Sequence, residues 1–227
     1  MEERAIDAVV FDYGGVLTAP VRTSTDHWLA EEGIEVAGYR ATMRAWLVDQ
    51  DCGDSPVRRL ERGDLSPAEF EAAFAARLTT SSGAPVVAHG LLGRMFALML
   101  PDPVMLALLD ELRATGVRVG LLSNSWGATD YPPDVLSRCD PVVISGTVGL
   151  RKPDPAIFEL LLERLGVPAG RTVFVDDVKP NVAAATELGM HGVLHVDATT
   201  TRAALRPLVP DLPAEPGLGP ATGDVTA

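Results

Sequence analysis

The chain has 227 residues, 47% of them hydrophobic, with a formal net charge of −12 and two cysteines. That length supports one substantial core with a smaller appended unit, and the acidity argues against a nucleic-acid partner, which needs a basic face to neutralise phosphates. Cys52 and Cys139 build neither a disulfide framework nor a zinc site, no apolar run reaches membrane-span length, and the opening MEERAID is no signal peptide; a soluble, cytoplasmic chain with no membrane contact is expected.

The first strand is expected over residues 7–12, around the run Ala8-Val9-Val10-Phe11. It is short, apolar and β-branched, as suits a strand buried on both faces. Gly14-Gly15 then breaks the pattern. Residues 23–99 carry helical periodicity instead, over 26–32, 39–49, 56–62 and 66–78. Ser66-Pro67-Ala68-Glu69 has the residues of a helix start: a Ser N-cap, Pro at the first position and Glu at the third. From Pro103 strands and helices alternate: helix 104–115 ending at Gly116, strand 117–122, strand 141–145, helix 155–165, strand 172–175, helix 180–188 and strand 192–196. Such alternation implies an α/β fold with right-handed crossovers and a mainly parallel sheet, whose ligands bind beyond the carboxyl ends of the strands. Residues 1–20 and 100–206 are expected to form this core, 21–99 a helical cap inserted after the first strand, and 207–227 a disordered tail rich in Pro, Gly and Ala.

Four segments are each expected to end a strand with phosphate-handling groups: FDYGGVLT (11–18), LLSNS (121–125), LRKPDP (150–155) and VFVDD (173–177). Asp12, ending the first strand, is a candidate nucleophile, because a carboxylate can attack phosphorus and split hydrolysis into two easier steps. Taken alone, it reads as readily as a turn cap. Asp176 and Asp177 repel each other unless a cation lies between them, and magnesium suits one or two carboxylates plus a substrate phosphate. A helix-capping acid pair is the plainer alternative. Lys152, in a turn stiffened by Pro153 and Pro155, is a fixed charge for phosphate oxygens and for the nucleophile. Ser123 and Asn124 offer a hydroxyl and nearby amides for the phosphoryl oxygens, although both are also common turn residues. Asn181 is placed to cap or orient the metal loop. His27, His89, His191 and His195 are scattered, and no serine-hydrolase or P-loop motif occurs.

The ordered set of four segments resembles the haloacid dehalogenase superfamily, in its phosphatase-like branch with a helical cap. The resemblance covers about residues 5–196. It implies a Rossmann-like sheet with the first strand central and magnesium-dependent phosphoryl transfer through an aspartyl-phosphate. By motif, it makes Asp12 the nucleophile, Ser123 a phosphate ligand, Lys152 the stabilising cation, and Asp12, Asp176, Asp177 and the Gly14 carbonyl the metal site. One departure stands out. The family's first motif carries a second Asp that protonates the leaving group, and here that position is Gly14. General acid–base help is worth about 10²–10⁴-fold. Its loss matters least for activated monophosphates such as sugar-1-phosphates or acyl phosphates. Substrate choice is expected to lie in the cap, at the turn 49–54, Arg58, Arg59 and Trp46, with Trp126 beside the phosphate loop; Gly15, Pro101 and Pro103 are hinge candidates. The expected partner is a small phosphorylated substrate, bound to a monomer or homodimer. Two other readings stay open: a haloacid-type dehalogenase, against which the Asp176-Asp177 pair argues, and a non-catalytic phosphometabolite-binding protein, which Gly14 permits.

Overall fold

Five parallel strands form one sheet in the order β3-β2-β1-β4-β5: β1 (Ala8–Phe11), β2 (Arg118–Ser123), β3 (Val142–Ile144), β4 (Thr172–Asp176) and β5 (His191–Leu194). The computed structural model describes residues 5–47, 54–127 and 131–214. β1 lies at the centre and is fully buried. Its side chains alternate, Val9 and Phe11 facing one apolar cluster and Ala8 and Val10 the other. The first cluster takes Met105, Leu108, Leu109 and Leu112 from α6 (Pro103–Ala114) and Leu205 from α11 (Ala198–Leu205). The second takes Ile157, Phe158, Leu161 and Leu165 from α9 (Pro155–Leu165) and Ala185 from α10 (Lys179–Glu187). Helices on both faces explain why the strands read as continuous apolar runs rather than alternating ones.

Between β1 and α6 the described residues form five helices: α1 (Val21–Glu31), α2 (Val36–Leu47), α3 (Pro56–Arg62), α4 (Pro67–Ala75) and α5 (Leu91–Met95). They bury a separate apolar cluster built on Trp28, Trp46, Leu60, Phe70, Phe74 and Leu91. Ser66 starts α4 with the expected capping box: its hydroxyl accepts from the Glu69 N–H, and the Glu69 carboxylate accepts from the Ser66 N–H at 3.0 Å. The two strands of chain leading into and out of this layer run side by side. Thr18 bridges Pro101, the Ala19 N–H donates to the Leu100 carbonyl, and the Asp102 N–H donates to the Leu17 carbonyl.

Several elements differ from the sequence expectation. α1 begins five residues earlier than expected, and α5 and α11 were not anticipated. Nor were two helices of one turn, α7 (Pro133–Leu136) and α8 (Ser145–Val148). Their apolar content is too short to show a period. The described part of the expected disordered tail is also ordered: Val209 and Leu212 are buried in the α6 face of the core. These two apolar residues sit among Pro, Gly and Ala, so composition hid them. Among the described residues, no helix is long and apolar enough to cross a membrane.

Candidate active site

The parallel register brings the carboxyl ends of β1, β2 and β4 level. Phe11 pairs with Leu121 on one side and Val175 on the other, so the next residues are Asp12, Leu122 and Asp176. The Asp12 N–H donates to the Val175 carbonyl at 2.9 Å, extending the ladder by one bond and fixing the acid where β1 ends. Lys152 reaches this point from the turn before α9. Its ammonium, 1% exposed, lies 2.7 Å from Asp12 Oδ1 and 2.7 Å from Asp176 Oδ2, and donates to the Leu122 carbonyl at 2.9 Å. The Phe174 ring lies 5.3 Å below it. A buried ammonium needs such partners, and all three of its donors have one.

Burial raises the Asp12 carboxyl to about 7; the Lys152 charge pulls it down and the Asp176 charge pushes it up. For Lys152, burial works against the charge, but the two carboxylates outweigh it and hold the ammonium above the ordinary lysine value. Asp176 is wholly buried. Its Oδ1 accepts from the Val178 N–H at 2.8 Å, and Asn181 Nδ2 donates to both of its oxygens at 3.1 and 3.0 Å. Asn181 therefore orients the acid loop, as its position suggested. Asp177 is exposed as a residue, yet its carboxyl is partly shielded, and that shielding and then the Asp176 charge raise its pKa. Gly15, at φ 79°, lies against it: a Cβ there would fall 2.8 Å from Asp177 Oδ2. Oxygen atoms of Asp12, Asp176 and Asp177 all lie within 4.8 Å of one another.

The two residues closing β2 divide their work. The Ser123 hydroxyl, 3% exposed, accepts from the Tyr131 phenol at 2.9 Å. Asn124 does not present its side-chain amide to a ligand: Nδ2 donates to the Lys152 carbonyl at 3.0 Å and Oδ1 accepts from the Lys152 N–H at 2.9 Å. That reciprocal pair fixes the backbone carrying the ammonium, so the Asn124 side chain positions Lys152. Tyr131 escaped the sequence reading because a lone tyrosine beyond a polar loop carries no pattern. Burial pushes its phenol up to about 12.

Glu61 on α3 was missed too. Its carboxylate, 5% exposed, accepts from Arg151 Nε at 2.6 Å and from the Trp126 indole. Burial raises its pKa, against the pull of Arg151. The Ser145 hydroxyl donates to the Glu61 carbonyl and accepts from the Ser125 N–H at 2.8 Å. Arg151 is therefore half-buried in a salt bridge with the helical layer. Of the residues expected to line the cleft, Trp46 is instead core, 6% exposed between Phe70 and Phe74 with Arg77 over its ring. Trp126 packs edge-on against Phe70 and Phe96, each at 5.6 Å. Arg59 donates to the Asp64 carbonyl on the outer surface. Residues 49–53 of the expected 49–54 turn lie outside the described residues, while Asp54 pairs with Arg62 at 2.5 Å.

The model of the haloacid dehalogenase-like hydrolase family matches residues 6–189, which contain every residue of this cluster. The chain belongs to that family. Among relatives, it is 30% identical over 198 residues to the phosphoglycolate phosphatase of Rhodospirillum rubrum, covering 81% of this chain and 76% of that protein. It is also 29% identical over 197 residues to acyl-CoA dehydrogenase family member 10 of Mus musculus, covering 84% of this chain but only 18% of the mouse protein. A HAD-like family hydrolase from Porphyromonas gingivalis, 25% identical, shares the fold with a TM-score of 0.63 over 84% of this chain and 91% of that one. The family's α/β architecture, with its parallel sheet and surrounding helices, is the one described above.

Proposed function

We propose that this chain is a magnesium-dependent phosphomonoester hydrolase that works through an aspartyl-phosphate on a small, activated monophosphate. The observation that carries the reading is the convergence of Asp12, Asp176 and Asp177 within 4.8 Å, with one buried ammonium between the first two. Three carboxylates face a single cation, so surplus negative charge remains, and every donor is a hard oxygen. That donor set fits magnesium. Asp12, Asp176 and Asp177, with the Gly14 carbonyl in the same turn, would hold the ion, which when bound would offset charge on the transferring phosphoryl group.

In this reading an Asp12 carboxylate oxygen attacks phosphorus, forming an O–P bond as the P–O bond to the leaving group breaks and the leaving oxygen departs as an anion with the bonding pair. Lys152 grips Asp12 Oδ1, which leaves Oδ2 as the oxygen not committed to the ammonium. The Ser123 hydroxyl would bind a non-bridging oxygen, and Lys152, its three donors already partnered, would act on the phosphoryl group through its charge. Water then cleaves the acyl phosphate and restores Asp12. The helical layer would act as a cap that excludes bulk water during the first step.

Gly14 shapes the substrate class. A Cβ at this position would meet the Met99 Cε methyl at 3.2 Å and Val21 Cγ2 at 3.7 Å. The place of the missing acid is thus lined by methyl groups, which donate no proton, and this supports a leaving group that is stable without one. The phosphatase name of the Rhodospirillum rubrum relative supports the reaction class.

Phosphate release from p-nitrophenyl phosphate and a panel of monophosphates, with magnesium and with excess chelator, tests the reading. Metal-dependent turnover is expected, to be lost in Asp12→Asn. Turnover indifferent to chelator, or retained in Asp12→Asn, would overturn it.

A further inference from the structure

We propose that Tyr131 is a positioning residue for phosphate binding, its phenol donating to Ser123 and so committing the Ser123 proton to an oxyanion in the cleft. The inference rests on the phosphate-site reading above and names a residue that the motifs do not contain.

A serine hydroxyl has one proton and two lone pairs, and its rotor turns to suit its surroundings. Left alone at the end of β2, it would aim its proton at any nearby carbonyl or carboxylate. Tyr131 removes that freedom. Its hydroxyl donates to Ser123 Oγ at 2.9 Å, and both residues are buried, at 6% and 3% exposure, so water does not compete for the bond. A phenol is a stronger donor and a weaker acceptor than an alkyl hydroxyl, so the donation runs from Tyr131 to Ser123. Among the described residues, no acceptor takes the Ser123 proton. The tyrosine is itself fixed. Its ring stands edge-on to Tyr13 with centroids 4.7 Å apart, and Tyr13 follows the nucleophile directly. The phenol also lies close enough to feel the charges of Asp12 and Lys152. Ser123 is thus held by a buried tyrosine that takes no part in the metal cluster.

The test compares wild type, Tyr131→Phe, Ser123→Ala and the double variant. The readouts are competitive inhibition by inorganic phosphate, KM and kcat for p-nitrophenyl phosphate with magnesium, and thermal midpoint. Tyr131→Phe removes one oxygen and keeps the ring contact with Tyr13. It is expected to raise the phosphate inhibition constant and KM by about three- to tenfold, with a smaller change in kcat. In the Ser123→Ala background, the same substitution is expected to change neither constant. Equal effects of Tyr131→Phe with and without the serine would overturn the proposal, as would a lowered thermal midpoint with unchanged phosphate inhibition. Ser123→Ala is a check that does not depend on the tyrosine variant folding: unchanged phosphate inhibition there overturns the proposal too. If wild type itself shows no phosphate inhibition, while Asp12→Asn abolishes metal-dependent turnover, the positioning role fails and the hydrolase reading stands.

Discussion

Magnesium and a proton should compete for Asp12. The carboxyl sits at about 7 against an ordinary value of 3.8, chiefly because it is buried. A metal ligand must be deprotonated, so binding the ion has to expel that proton wherever it is present. Apparent magnesium affinity should therefore rise by about tenfold from pH 6 to pH 8 and then level off. The binding event should release roughly nine-tenths of a proton at pH 6 and roughly one-tenth at pH 8. Calorimetry in two buffers of different ionisation enthalpy reads both quantities. The metal-free protein carries the linked effect. Asp12's folded pKa lies above its unfolded one, so the folded chain holds the extra proton between about pH 4 and pH 7. The contribution of this one group to stability is largest below that window and falls as pH rises through it, by on the order of 4 kcal/mol at about 1.4 kcal/mol per pH unit. Magnesium should return part of this loss at pH 7 and little at pH 5. Affinity equal at pH 6 and pH 8, with no proton released at either, would refute the assignment of Asp12 as a protonatable metal ligand.

Two further substitutions probe the surroundings. Gly15→Ala should lower stability by about 1–2 kcal/mol from its left-handed backbone alone, and weaken magnesium binding, since the new Cβ would fall 2.8 Å from Asp177 Oδ2. Gly14→Ala, facing the flexible end of Met99 at 3.2 Å and Val21 at an ordinary 3.7 Å, should change neither by much; equal effects in urea denaturation and calorimetry would contradict the geometry. Arg151→Ala strands the Glu61 carboxylate at 5% exposure and should cost about 3–5 kcal/mol, while Arg151→Ala combined with Glu61→Leu should recover much of that loss. A single-variant loss under about 1 kcal/mol would mean that the pair behaves as a surface one.

The core was legible because its signals are local. The run Ala8-Val9-Val10-Phe11 could be only a buried strand or a helix fragment, and Gly14-Gly15 decided between them. Ser66 and Glu69 announced α4, and Asp154 with Pro155 announced α9, whose first turn Asp154 caps through the Ala156 N–H at 3.0 Å. The charged site residues were legible for the same reason: each closes a strand or opens a helix in its own segment. What escaped depends on contacts between distant segments. That the Asn124 side chain positions Lys152 shows only when that lysine, 28 residues on, is seen to take both of its side-chain polar atoms. Glu61 looks like a solvated helix acid until Arg151, 90 residues on, closes over it. Trp46 and Trp126 are alike as letters, and only the packing of Phe70 and Phe74 puts the first in the core.

The adjacent cations Arg151 and Lys152 tie two different parts of the protein, the first to the helical layer and the second to the sheet. All the polar contacts of Lys152 go to the sheet: Asp12 at the end of β1, Leu122 and Asn124 on and beyond β2, and Asp176 ending β4. Arg151 faces the other way, to Glu61 on α3. An opening motion of the helical layer must break the Arg151–Glu61 pair and the Ser145 contact with the Glu61 carbonyl, but neither bond is one that holds the ammonium. Between the two cations runs a single peptide, and Asn124 clamps the Lys152 end of it on both its N–H and its carbonyl. That clamp is the reason the charge beside Asp12 need not shift if its neighbour lets go.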